Sequence, residues 1–203
     1  MTLPTCYSWS PVGERLSVAA EAPQGRRVNA LAAYFSAGPQ AGEFKFECLA
    51  KLPARGTKRK TLSQRAAEHG LCPEEVGCLD SDRLVAFCWK LAGRPADAGP
   101  TWQRERPLFI VLDNYSVHKS ERVQAELPLF WAAGVQLWYL PSYSPELSDI
   151  EPIWYSVKHH DLRERSFQLL GDLLRAVVTT LAQKAVALRH ARSITDHLLP
   201  QAA

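Results

Sequence analysis

Residues 107–114 read PLFIVLDN, and how that stretch is read decides the fold. The apolar side chains from Leu108 to Leu112 stop abruptly at the carboxylate of Asp113. A short, continuous apolar run of this kind predicts a strand covered on both faces, as at the centre of a sheet flanked by helices. Downstream, VQLWYLP (135–141) is a second apolar strand, and SERVQAELPLFWAAG (120–134) between them is helical in its first part. On the upstream side, SDRLVAFCWKLA (81–92) offers Ser81 or Asp82 as an N-cap, followed by Leu84, Phe87, Cys88 and Leu91 at helical spacing. A Pro/Gly-rich connector, GRPADAGPTWQRER (93–106), joins that helix to the first strand.

Further out the periodicity changes. YSWSPVGERLSV (7–18) reads as two short extended pieces around a Pro-Val-Gly turn. RRVNALAAYFSA (26–37) leans to strand and ends at the turn residues GPQAG, and EFKFECLA (43–50) alternates charged and apolar residues like a half-buried strand. TLSQRAAEHG (61–70) has the pattern of one short helix. At the far end Phe167, Leu170, Leu174, Val177, Leu181, Ala185 and Leu188 form a single helical stripe, with Ser166 as its expected cap. Strands in series, then strand and helix in alternation, predict an α/β fold with a mixed sheet covered by helices.

The bulk properties exclude little and allow much. With 203 residues, 46% hydrophobic and 22% charged, the chain suits one globular domain with a small appendage. No apolar run has the length of a membrane span. The start, MTLPTCYSWSPVGER, lacks a basic leader and apolar block, so no secretory signal is expected. Cys6, Cys48, Cys72, Cys78 and Cys88 are odd in number and lack CxxC spacing, which predicts reduced thiols and a cytoplasmic setting. His69, Cys72, Cys78 and Cys88 fit no familiar zinc spacing, and incidental thiols are the simpler reading. Net charge is only +3, yet Lys51, Arg55, Lys58, Arg59, Lys60 and Arg65 crowd one turn-rich stretch. That stretch is either a solvated loop or a phosphate-neutralising run.

Two acids stand out. Glu151 precedes Pro152 where an amphipathic helix begins, with Ile150, Ile153, Trp154 and Val157 on one face and Glu151, Tyr155 and Lys158 on another. A capping box from Ser148 to Glu151 would make Pro152 the fourth helical residue, where proline removes a needed N–H. The helix is therefore expected to begin at or just before Pro152, with Asp149, Ile150 or Glu151 near its cap. A carboxylate there is favoured by the helix dipole alone, so position does not establish function. Asp113, at the carboxyl end of an apolar strand, is where open sheets present catalytic groups, the alternative being a loop-starting Asp that caps the following turn. If the turn-rich PSYSPELSD swings Glu151 to the same edge, the pair would suit a hard divalent cation with oxygen ligands, Mg²⁺ or Mn²⁺.

Taken together, LDNYSVH, YLPSYSPEL and IEPIWYSVK closely resemble the DDE transposases of bacterial insertion sequences in the mariner superfamily. YSWSPVGER is similar to the Trp-x-Pro-x-Gly hairpin of that family, and the matches run from about residue 7 to residue 165. The resemblance implies an RNase H-like catalytic domain over 1–165, with 166–203 as a helical segment packed on it. It implies cutting of DNA at transposon ends and joining of the freed 3′-OH to a target, with two Mg²⁺ (or Mn²⁺) ions. DNA is the implied partner, and a homodimer is one assembly it allows. Asp113 matches the second catalytic acid and Glu151 the third, both as metal ligands. Asn114 and His118 match residues flanking the second acid, and His118 has either a DNA-contacting or site-orienting role or a structural hydrogen bond. Lys158 reaches a phosphate or is merely solvated. Pro141, Tyr143, Ser144 and Pro145 shape the turn. Where many relatives have Asn-Pro, this chain has Ser148 and Asp149, and Asp149 is a second carboxylate near the metal ligand.

The departure is at the front. The family's first catalytic Asp lies on the strand before the hairpin, but only MTLPTCYS precedes Trp9, and no Asp occurs before Asp80. The expectation is a chain corresponding to the latter part of a transposase, with the first strand absent. Its alternative is a catalytically inactive relic that binds nucleic acid or a partner. A third possibility is an RNase H-like nuclease recruiting another acid, such as Asp149.

Overall fold

The structure, a computed structural model, describes residues 27–53, 60–162 and 167–198. The hairpin expected around Trp9, the basic residues Arg55, Lys58 and Arg59, and the cap Ser166 lie outside them. In chain order the elements are β1 (Arg27–Tyr34), β2 (Phe44–Lys51), α1 (Leu62–Glu68), α2 (Ser81–Ala92), β3 (Leu108–Leu112), α3 (Glu121–Ala132), β4 (Val135–Tyr139), α4 (Glu151–Ser156) and α5 (Leu170–Leu198). They fall into two compact units, Met1–Cys78 with Ile153–Ala203, and Leu79–Pro152.

In the first unit β1 and β2 pair antiparallel from Arg27↔Lys51 to Tyr34↔Phe44. The long helix α5 packs on β2. Its buried stripe is Leu170, Leu174, Val177 and Leu181, as the helical spacing predicts, with Phe167 buried just before its start. Helix α1 opens with a capping box in which Gln64 N donates to Thr61 Oγ1 at 3.2 Å and Thr61 N to Gln64 Oε1 at 3.1 Å. Ala50, Ala66, Leu71, Leu170 and Leu174 close one core between β2, α1 and α5. The approach there is close enough to require glycine. Gly171 N donates to His69 O at 2.9 Å, and a Cβ on Gly171 would lie 2.1 Å from Gly70 O.

In the second unit β3 and β4 run parallel, from Leu108↔Val135 to Leu112↔Tyr139. Helix α3 makes the crossover and packs on β4 and on α2. Val123, Phe130, Ala133 and Val135 are buried, as is an α2 face of Leu84, Val85, Phe87, Cys88, Leu91 and Ala92. At the edge of this core Trp89 Nε1 donates to Glu126 Oε1 at 2.8 Å, while the Arg122 guanidinium pairs with Glu126 Oε2.

Several expectations need correction. Among the described residues β3 is not covered on both faces: Phe109 and Val111 are each 58% exposed, as is Trp138 at 57% on β4. The run is apolar throughout, but its burial alternates, with Leu108, Ile110 and Leu112 half-buried and Phe109 and Val111 exposed. Within the first unit the described strands form a two-stranded antiparallel sheet, and within the second a two-stranded parallel one. The class is mixed α/β all the same. Helix α3 does not stop in its first part; it continues through Pro128 to Ala132. An interior proline costs about 3 kcal/mol. Burying Phe130 contributes about 1.5–3 kcal/mol, and Val123 and Ala133 add to it, so packing wins. The cap of α2 is Asp80, whose Oδ1 accepts from Arg83 N at 3.0 Å, one residue before the expected position. Helix α5 starts at Leu170, later than the stripe implied.

Candidate functional site

Asp113 follows the last residue of β3 and its side chain is 63% exposed. Tyr115 N donates to its Oδ1 at 2.9 Å, the local turn an Asp at this position favours. The chain then makes a 3₁₀ turn over Ser116–Lys119 and returns His118 to the same carboxylate, Nδ1 to Oδ1 at 2.7 Å. His118 is itself fixed, with Tyr139 Oη donating to its backbone carbonyl at 2.9 Å and the Tyr115 ring standing edge-on at 5.9 Å. Asn114 turns the other way, and its Nδ2 donates to Leu140 O at 2.6 Å. Leu140 N in turn donates to Leu112 O at 2.9 Å, so the exits of β3 and β4 are tied together. A carboxylate with one oxygen held by a histidine and a backbone N–H, and facing water, is oriented without being buried.

From Leu140 the chain runs Pro141–Ile150 to the start of α4. A 3₁₀ turn at Pro145–Leu147 is closed by Ser148 N to Pro145 O at 3.0 Å, and Glu151 N donates to Ser148 O at 3.0 Å. Ser148 thus ends one turn rather than capping the next helix in a box with Glu151. Glu151 is the first residue of α4 and Pro152 the second, where its absent N–H leaves no bond unmade. Ile153 and Val157 are buried and hold the helix down, while Glu151 and Asp149 stay exposed. One residue in this loop is strained. Tyr143 has φ 57°, a left-handed conformation that costs a residue with a Cβ about 1–2 kcal/mol.

Beyond Ser156 the helix widens into a π turn, Val157–Asp161, which carries exposed Lys158. Its end is fastened to α5: Lys184 Nζ lies 2.8 Å from Asp161 Oδ2 and donates to Ser156 Oγ at 2.7 Å. Burial pushes the Asp161 carboxyl up, but the hydrogen bonds from Lys184 and Ser156 outweigh it and hold the group below the ordinary carboxylate range.

The structure therefore pairs Asp113 with His118 at the exit of β3, beside Asn114, whose side chain ties that exit to Leu140, while Glu151 opens α4 and Asp149 lies two residues before it. Among the described residues no three His, Cys, Asp or Glu side chains gather to hold a metal ion. Of the basic stretch, Lys60 is paired with Glu68, Arg65 donates to Pro53 O at 2.6 Å, and Lys51 is exposed at the end of β2. Two of those cations thus have partners within the chain. Sequence reasoning missed Tyr139 as the support of His118. The available signal was its place at the last position of β4, in register with Leu112 beside Asp113.

No helix among the described residues is long and apolar enough to cross a membrane. No curated protein matches the chain. The profile of the DDE superfamily endonucleases matches residues 72–174, just over half of the chain, and spans Asp113, Asn114, His118, Asp149, Glu151 and Lys158. The chain belongs to the DDE superfamily endonucleases.

Proposed function

We propose that this chain is a catalytic portion of a DNA transposase, of the kind carried by bacterial insertion sequences in the mariner superfamily, acting in the cytoplasm on transposon-end and target DNA. The observation that carries the reading is the pair of exposed carboxylates within the family match. Asp113 is oriented by His118 at a strand exit, and Glu151 opens α4. Both are hard oxygen donors facing water, which fits Mg²⁺ or Mn²⁺, since Mg²⁺ is commonly held by one or two carboxylates and completes its shell with water. When bound, two such ions activate the attacking water or 3′-OH and stabilise the leaving oxygen.

Asp113 would serve both ions and Glu151 one of them. His118, bonded to Asp113 Oδ1, holds that carboxylate in one rotamer, and Asn114 keeps the two strand exits in register. Asp149, two residues before Glu151, competes for the same cation or supplements it. Lys158 and the Lys51–Arg65 stretch contact phosphates. The RNase H-like arrangement, the partial catalytic domain over 1–165 with its helical segment 166–203, and a homodimeric assembly belong to the same proposal.

A second reading, an inactive DNA- or partner-binding relic, draws on the finding that no three His, Cys, Asp or Glu side chains gather among the described residues. An Mg²⁺-dependent cleavage and joining assay on transposon-end DNA decides between them, run on the chain alone and with an Asp-bearing strand added upstream. The proposal expects no appreciable joining by the 203-residue chain and activity on adding the strand. No activity in either form supports the relic. Robust activity of the chain alone, lost in Asp113→Ala, would show that another residue such as Asp149 supplies the third ligand.

A further inference from the structure

Tyr143 combines two properties that do not belong together in a merely structural residue. Its backbone is in the left-handed region at φ 57°, where glycine or asparagine is at ease, and its side chain is 101% exposed. The ring buries nothing in the free protein, so no packing offsets the strain. Strain of this kind without structural return is characteristic of functional positions.

The loop that presents Tyr143 is well fixed. At one end Leu140 is held by Leu112 and Asn114, beside Asp113. At the other, Leu147 N donates to Ser144 O at 3.2 Å, and successive turns lead to Glu151. The ring is thus carried between the segments bearing the two proposed metal ligands. Pro141–Ile150 contains Glu146 and Asp149 but neither lysine nor arginine. Such a loop repels phosphate, and the attraction left to it is that of a neutral aromatic face.

We propose that Tyr143 is a stacking platform for an unpaired base at the DNA end, and that it positions the strand entering the site. Stacking of this type tolerates any base, because each presents a π face. The inference rests on the DNA-processing function proposed above and adds to it a residue that grips the frayed end.

The test uses the full chain with a duplex bearing a short 3′ overhang that contains 2-aminopurine, and a blunt duplex of the same sequence. Tyr143→Phe should keep overhang affinity and fluorescence quenching. Tyr143→Gly should melt at an equal or higher temperature, since glycine relieves the strained φ. The same variant should bind the overhang on the order of tenfold more weakly, the scale of one lost base–aromatic stack, with blunt-duplex binding unchanged. Unchanged overhang affinity and quenching would overturn the inference while leaving the proposed function standing. A lower melting temperature would overturn it by making Tyr143 a structural residue. Failure of the unsubstituted chain to bind either duplex would overturn the proposed function and this inference together.

Discussion

The two β pairs of this chain solve the same problem unequally. β1 and β2 are eight residues each, antiparallel, and packed beneath α5, so that Phe44, Leu49 and Ala50 are buried. β3 and β4 are five residues each and parallel, and α3 packs on β4 while Phe109, Val111 and Trp138 stay exposed. Parallel strands ordinarily have both faces covered, and an exposed apolar sheet face invites association. The well-covered pair supplies stability, whereas the poorly covered pair ends at Asp113, the proposed metal ligand. On the proposed function, stability and chemistry fall to different parts of the chain.

Substitutions at matched positions break or sharpen this contrast. The largest effect is expected in α5. Leu181 is fully buried, and Leu181→Ala should cost about 2–5 kcal/mol in urea unfolding. Trp138→Ser on the open face of β4 should cost less than about 1 kcal/mol despite removing a larger side chain. Equal losses would mean that the open face is packed in solution.

Gly171→Ala comes next. A Cβ only 2.1 Å from Gly70 O must displace backbone rather than a flexible side chain, and a loss of roughly 1–3 kcal/mol is expected. Thermal unfolding measures it, and a neutral result would show that α5 and the His69–Gly70 turn are less tightly joined than the hydrogen bond implies.

Glu126 provides a pH-dependent term in the other unit. Burial pushes its carboxyl up, but hydrogen bonds from Arg122 and Trp89 and the nearby positive charges more than compensate, leaving it below the ordinary range. The sign follows from linkage: a lowered folded pKa adds stability above the ordinary carboxylate value, and that stability is lost as pH falls through the lowered one. Glu126→Gln should therefore cost about 1–3 kcal/mol near neutrality. The gap to the parent should close as pH falls below the ordinary carboxylate range, read from melting temperature against pH. A constant gap would assign the effect to packing.

The smallest stability change is expected on the open face itself. Phe109→Thr with Val111→Thr should leave unfolding within about 1 kcal/mol of the parent but reduce self-association in light scattering, because it removes exposed apolar surface.

How much of this was legible follows from how local each signal was. The start of α4 was readable because Pro152 admits so few helical positions, and the stripe of α5 because its spacing persists over many turns. The openness of β3 was not, since an apolar run contains no information on whether something covers its second face. Nor was the passage of α3 through Pro128, where a local rule lost to the burial of Phe130, a long-range effect. Asp113 and Glu151 stood out by residue type at element ends. The grip of His118 on Asp113 depends on a 3₁₀ turn that residue spacing does not specify, and the left-handed Tyr143 sits between prolines without any glycine to mark it.

The central claim is that Asp113 and Glu151 bind one metal site. Titration of the chain with Mn²⁺, followed by the loss of the free-ion electron paramagnetic resonance signal, tests it most directly. Weak binding is expected, because two carboxylates fill only part of an octahedral shell. Asp113→Ala and Glu151→Ala should each abolish that binding, and their combination should do nothing more. Mn²⁺ binding that survives both single substitutions, or that is lost in only one of them, would contradict a shared site.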